Sequence, residues 1–192
     1  MNNEILIGSY IDKDKNQVFS VFREGSNLIE ATQEKTVYKG LIRDSRGVKK
    51  AEVAIKTLQP FQTYPSQNVI DELKNELAIY KRIDHQKIVK FYADIYDSKN
   101  DQNLYLVIEY CHNENIEKYL REKSISEEQK KEILKQIVDV LSYLHSEKII
   151  HGDIRPTNIF VLEIPNIKLG EFGISKIIQD NKKNTFGDGT PG

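Results

Sequence analysis

Along the first third of the chain apolar residues recur at alternate positions, the mark of half-buried strands. Ile5-Leu6-Ile7 and the run from Val18 to Phe22 flank a polar turn, Asp12 to Asn16, and predict a hairpin over residues 4–23. Asp12, Asp14 and Asn16 imitate the opening of a calcium loop, but Gln17 and Arg23 stand where that loop needs glycine and a closing glutamate, so the segment reads as a turn. Three more strands are predicted at 27–31, 36–42 and 51–58, the last two joined at Gly47. The period then becomes helical. Pro65-Ser66 opens a helix to about Ile83 with Val69, Leu73, Leu77 and Tyr80 on one face. Strands at 88–96 and 104–110 follow, around the turn Ser98-Lys99-Asn100-Asp101. Past Cys111 the pattern predicts a short helix over 115–123 and a long one capped by Ser126 and running to about Ser146. Ile133, Leu134, Ile137, Val138, Leu141 and Leu144 give the long helix a broad apolar face that needs cover. Short strands at 159–162 and 167–169 bracket Pro165-Asn166, and residues 175–192 are polar and glycine-rich.

A length of 192 residues allows one domain or one two-lobed unit with a real core. Net charge is −1 with 30% charged residues, which gives no global electrostatic case for nucleic acid or a membrane surface. A mean hydropathy of −0.55 and the lack of a long apolar run argue against a spanning helix. Met1-Asn2-Asn3-Glu4 lacks the basic start of a secretory signal, and Cys111 is the sole cysteine, so a cytoplasmic setting is expected.

The chemistry concentrates late in the chain. Asp153 and Asn158 lie five residues apart in a loop, and Glu171-Phe172-Gly173 follows one hairpin later. An Asp there can take a hydroxyl proton, and an Asn with a second acid can hold a metal, which is a phosphoryl-transfer layout. Lys56 closes a strand with apolar flanks. Each feature has a plain alternative: a strand lysine is usually a solvated edge residue, and an Asp-Pro-Asn loop can be doing turn chemistry.

Taken together, Val53-Ala54-Ile55-Lys56, His151-Gly152-Asp153-Ile154-Arg155-Pro156-Thr157-Asn158 and Glu171-Phe172-Gly173 resemble the strand lysine, catalytic loop and metal-binding loop of eukaryotic protein kinases, of the serine/threonine kind. The flanks Tyr143-Leu144-His145 and Ile149-Ile150-His151 resemble that family too. The resemblance implies an α+β, two-lobed kinase-like fold: a five-stranded small lobe with one helix, then an incomplete helical large lobe. It divides the chain into an N-terminal extension with a hairpin (1–25), the small lobe (26–108), and the hinge with a partial large lobe ending in the activation segment (109–192). It implies that Lys56 holds ATP phosphates and pairs with Glu76, whose spacing to His85-Gln86-Lys87-Ile88-Val89 suits better than that of Glu72. Ala54 and Phe160 would sandwich adenine, and Ile108, Glu109 and Cys111 belong to a hinge in which Ile108 is the gatekeeper. Asp153 would serve as base, Arg155 as the γ-phosphate cation, and Asn158 and Glu171 as ligands for Mg²⁺. Tyr80, Phe91, His151 and Phe172 fall at the family's spine positions.

Several positions depart from the family pattern. Counting back from Val37 places Glu30, Thr32 and Lys35 where the nucleotide loop carries glycines, with Glu34 adding further negative charge. Glu171 replaces an aspartate, moving its carboxylate outward by ~1.5 Å. Gly152 replaces an arginine that often reads a phosphorylated activation loop. Gly189-Thr190-Pro191 matches the family's G-T-P, and the sequence stops before A-P-E. The expectation is an ATP- and Mg²⁺-dependent kinase acting on Ser/Thr of a protein substrate, with weak or no turnover from this chain as it stands. The alternatives are a pseudokinase acting as scaffold or allosteric partner, and a fragment of a longer kinase. Partners expected are ATP and a protein, without nucleic acid or membrane.

Overall fold

The computed structural model describes residues 4–12, 14, 16–32, 35–58, 66–97, 100–112 and 114–178. Pro65, the turn residues Ser98 and Lys99, Glu34 and the tail with Gly189-Thr190-Pro191 lie outside them. The chain begins with four strands, β1 (Glu4–Asp12), β2 (Gln17–Ala31), β3 (Lys35–Asp44) and β4 (Lys49–Leu58). Helix α1 (Gln67–Tyr80) follows, then β5 (Phe91–Asp97) and β6 (Asn100–Glu109). The sheet is antiparallel in the order β1-β2-β3-β4-β6-β5, which is the five-stranded small lobe with one strand added at its edge.

That added strand is where the pattern reading and the structure part. The expected break between 18–22 and 27–31 is absent: β2 runs unbroken through residue 25, and its ladder with β3 shifts register between Arg23 and Leu28. Gly25, at φ 27°, sits inside the irregularity, so the glycine marks a bulge rather than a strand end. The sheet then curls until its two edges approach. A Cβ on Gly8 in β1 would stand 2.6 Å from Ile95 Cγ2 in β5, so only glycine admits the contact. Phe19, Val21, Ile42, Val53, Ile55, Ala93, Ile95 and Val107 are buried inside the curl. Each of the larger ones, all but Ala93, contributes about 1.5–3 kcal/mol by leaving water.

On its other face the sheet packs on α1, whose Val69, Leu73, Leu77 and Tyr80 are all buried, as their spacing requires. Ile88 does not begin β5. It bridges to Leu169 in parallel, and Val89 N–H donates to the Leu169 carbonyl at 2.9 Å, tying the lobes together. The large lobe holds α2 (Ile116–Glu122), α3 (Glu127–Ser146), the pair β7 (Ile149–Ile150) with β10 (Lys176–Ile177), and the hairpin β8 (Ile159–Glu163) with β9 (Asn166–Leu169). Ser126 and Gln129 form a reciprocal capping box at the start of α3. Buried Gln136 docks the β8–β9 hairpin on α3 by donating to the Pro165 carbonyl at 2.9 Å and accepting from Ile167 N–H at 3.3 Å. No helix among the described residues is long and apolar enough to cross a membrane.

Only part of the expected apolar face of α3 is covered. Ile133, Val140 and Leu144 are buried, whereas Leu134 and Val138 are 61% and 62% exposed. Exposed apolar residues four apart on one helix favour association. Replacing them together, Leu134→Glu with Val138→Lys, places a favourable Glu-to-Lys pair on the surface. The double variant should leave the thermal midpoint unchanged and shift light scattering toward monomer. A clear drop in the midpoint would mean that the two side chains already pack against something.

Candidate active site

Lys56 lies in β4 and is 5% exposed, while Glu76, on α1, is 2% exposed. The Lys56 Nζ stands 3.0 and 2.8 Å from the two Glu76 oxygens, and 2.9 and 2.8 Å from the two of Glu171. Three ammonium protons thus face four carboxylate oxygens, and the donor is saturated. Burial by itself pulls the Lys56 pKa down, but the charges of Glu76 and then Glu171 outweigh it and hold the ammonium above the ordinary lysine value. Burial raises the Glu76 carboxyl, against the pull of Lys56 and with added repulsion from Glu171. Burial also pushes Glu171 up, but Lys56 and, more weakly, Lys35 hold it below the usual glutamate value. The Glu171 side chain keeps 42% of its surface exposed, so it is the partner free to leave.

The loop after β7 is built around His151. Its Nδ1 accepts from Asp153 N–H at 3.2 Å, so Nε2 carries the proton and donates to the Gly170 carbonyl at 3.0 Å. Burial lowers the ring's pKa, partly offset by that carbonyl, and the imidazole is neutral. Asn158, in the 3₁₀ turn Pro156–Asn158, donates from Nδ2 to Asp153 O at 2.9 Å and Asp153 Oδ2 at 2.8 Å. Arg155 Nε reaches the same Oδ2 at 3.3 Å from a side chain 61% exposed. Phe91, Tyr80, Phe172 and His151 form one chain of ring contacts, stacked, then edge-to-face, then tilted, with successive centroids 6.0, 5.1 and 4.8 Å apart.

Two adjoining cavities share this wall. The larger, about 790 Å³, is lined by Glu30, Thr32, Lys35, Val37, Lys56, Arg155, Asn158 and Glu171, among others. The smaller, about 110 Å³, meets Ala54, Ile108, Glu109, Cys111 and Phe160. Asp153 lines neither, and is joined to the larger one through Arg155 and Asn158. Glu109 is held by Lys90 N–H at 3.0 Å and by an ion pair with Lys168. Burial, helped by the Glu109 charge, pushes the Cys111 thiol up to about 12, so it is inert rather than nucleophilic.

Known proteins match this chain in sequence. The family described as "Protein kinase domain" matches residues 35–192. The chain belongs to the protein kinase family. It is 32% identical over 160 residues to serine/threonine-protein kinase pakG of Dictyostelium discoideum, covering 81% of this chain and 12% of that protein. Mouse death-associated protein kinase 2 is 34% identical over 71% of this chain and 38% of its own length. An Aurora/IPL1-related protein kinase 2 of Caenorhabditis elegans is 35% identical over 70% and 43%. The chain therefore spans less than half the length of each of these relatives.

The departures from the kinase pattern take physical form here. Thr32 and Lys35 close the β2–β3 turn: Thr32 N–H donates to Lys35 O at 2.9 Å, and Lys35 N–H to Thr32 Oγ1 at 3.0 Å. Glu171 sits at φ 64°, a left-handed conformation that suits a short, locally bonding Asp better than a Glu. Gly152 sits at φ 82°, where a Cβ would stand 3.2 Å from the Ile174 carbonyl oxygen, so glycine relieves strain that an arginine would meet. The kinase family uses ATP with Mg²⁺. Asn158 and Glu171 are hard oxygen donors of the kind Mg²⁺ takes, and they fit it chemically. Among the described residues no cluster of three or more His, Cys, Asp or Glu could hold a metal, so waters and phosphate oxygens would complete the shell.

Two polar contacts of α1 escaped the sequence reading. Glu72, set aside in favour of Glu76, forms an ion pair with Lys35. Asn75 donates to the carbonyls of Gly173 and Ser175 at 2.9 and 2.8 Å, clamping the segment after Glu171. Neither carries a local signal, because both depend on where a distant loop returns.

Lys56→Met should destabilise the fold by about 3–5 kcal/mol, since it strands the buried Glu76 carboxylate. Adding Glu76→Leu should recover most of that loss in urea unfolding. If the double variant is as unstable as the single one, the ion pair is not what organises this site.

Proposed function

We propose that this kinase domain binds ATP and transfers its γ-phosphoryl group to Ser or Thr of a protein, with transfer held back by Glu171. The observation that carries this reading is the buried Lys56–Glu76 pair facing a cavity that Asn158 and Glu171 also line, with Asp153 bonded to Asn158. Bound Mg²⁺-ATP would supply the phosphoryl group and the metal charge. Lys56 would hold phosphate oxygens once Glu171 releases it. Both contacts to Asp153 engage Oδ2, so Oδ1 is the atom to accept the hydroxyl proton. Asn158 and Glu171 would hold the metal. Ala54, Ile108 and Phe160 offer apolar walls for a flat base, beside the hinge residues Glu109 and Cys111. Arg155 stands ready as a phosphate cation at the rim. The Arg155-Pro156 pair and the names of the relatives favour Ser/Thr over Tyr.

A second reading, a pseudokinase that binds partners without turnover, is favoured by one observation: Glu171 grips Lys56 with both oxygens and leaves it no free proton. The experiment is phosphorylation of a generic Ser/Thr substrate by wild type, Asp153→Asn and Glu171→Asp. Glu171→Asp shortens the grip, frees Lys56 and eases the backbone, so kcat should rise about tenfold or more, as expected for charge stabilised only in the transition state. Asp153→Asn should abolish transfer. No transfer from either wild type or Glu171→Asp, with ATP binding intact, would favour the pseudokinase.

A further inference from the structure

The third glycine position of the nucleotide loop carries a cation, and the sheet aims that cation at the same place as Lys56. In the β3–β4 ladder Val37 lies opposite Lys56, and Lys35 opposite Leu58. Lys35 and Val37 share a face, so Lys35 and Lys56 are diagonal neighbours on it, with backbones roughly 7–8 Å apart. Lys35, Val37 and Lys56 all line the larger cavity. Both lysines are tethered to α1, Lys35 to Glu72 and Lys56 to Glu76, one helical turn apart. The tethers differ in strength. Lys35 and Glu72 are 27% and 36% exposed, so their pairing is screened and yields readily to a stronger anion.

We propose that Lys35 is a second phosphate-binding residue, forming with Lys56 a two-lysine cradle for the phosphate chain of a nucleoside triphosphate. Side chains at Glu30, Thr32 and Lys35 keep the backbone amides of this loop from approaching phosphate as a glycine loop would. A lysine at the start of β3 replaces those neutral donors with one full charge. Hydrogen bonds between Thr32 and Lys35 join the end of β2 to the start of β3, where the lysine is carried. The charge of Lys35 already acts at Glu171, the carboxylate beside Lys56. The cradle therefore prefers a chain of phosphates to a nucleoside, and its second cation is in place before nucleotide arrives.

The inference rests on the ATP-binding reading, and calorimetric titration of the full chain separates the two. Titrants are Mg²⁺-ATP and adenosine; the proteins are wild type, Lys35→Met and Glu72→Gln. Lys35→Met should weaken ATP about tenfold or more, the worth of one charge-assisted hydrogen bond, and leave adenosine unchanged. Glu72→Gln frees Lys35 and removes a rim carboxylate, so it should tighten ATP. If Lys35 merely ties the strand to α1, both variants will weaken ATP alike, and the proposal is wrong. ATP affinity unchanged in Lys35→Met, or adenosine lost along with ATP, would overturn it equally. Wild type that binds no ATP would instead overturn the ATP-binding reading, and the cradle with it.

Discussion

A single ammonium group, Lys56 Nζ, is shared between Glu76 and Glu171. It sits where the small-lobe sheet, helix α1 and the loop after β9 meet, so each of these elements contributes one charge to the same buried point. A lysine at 5% exposure is tolerable only when paired, and its two carboxylates repel each other unless it stays charged. The triad thus links the inward position of α1 to the conformation at Glu171. The chain of ring contacts from Phe91 to His151 and the clamp from Asn75 reinforce that link from either side.

The same geometry explains why the site is both well formed and restrained. Lys56, Asn158 and Glu171 line one cavity, and Asp153 is anchored at its edge by Asn158. Yet the carboxylate of Glu171 also grips Lys56, the cation proposed here to hold phosphate. Residue 171 has a left-handed backbone in the same contact. Restraint and assembly are therefore two results of one contact, and relieving the first need not dismantle the second, because Glu76 remains.

Local periodicity and capping were readable in the chain. The buried face of α1 follows from Val69, Leu73, Leu77 and Tyr80, and the start of α3 from Ser126. The pairing of Lys56 with Glu76 rather than Glu72 was what the resemblance to kinases implied, and the two are paired. What escaped was non-local. The hairpin was expected to end at residue 23, but β2 runs on through Gly25, where its ladder with β3 shifts register. The meeting of β1 with β5 rests on Gly8 facing Ile95 across the curl of the sheet, which no window of sequence contains. Leu134 and Val138 belong to the apolar pattern of α3, yet the described residues cover only its other side. Gly152 read as a lost arginine, whereas its φ of 82° makes glycine the residue that fits.

In the proposed mechanism Glu171 occupies the phosphate site of Lys56 until a metal competes for it. The direct measurement is the affinity for ATP in EDTA and in Mg²⁺, for wild type and Glu171→Gln. Wild type should bind metal-free ATP at least about tenfold more weakly than Mg²⁺-ATP, since one charge-assisted bond is withheld. Glu171→Gln, unable to hold the ammonium as an ion pair, should bind metal-free ATP better than wild type does. Equal metal-free affinities in the two proteins would show that Glu171 does not guard Lys56, and would contradict the account.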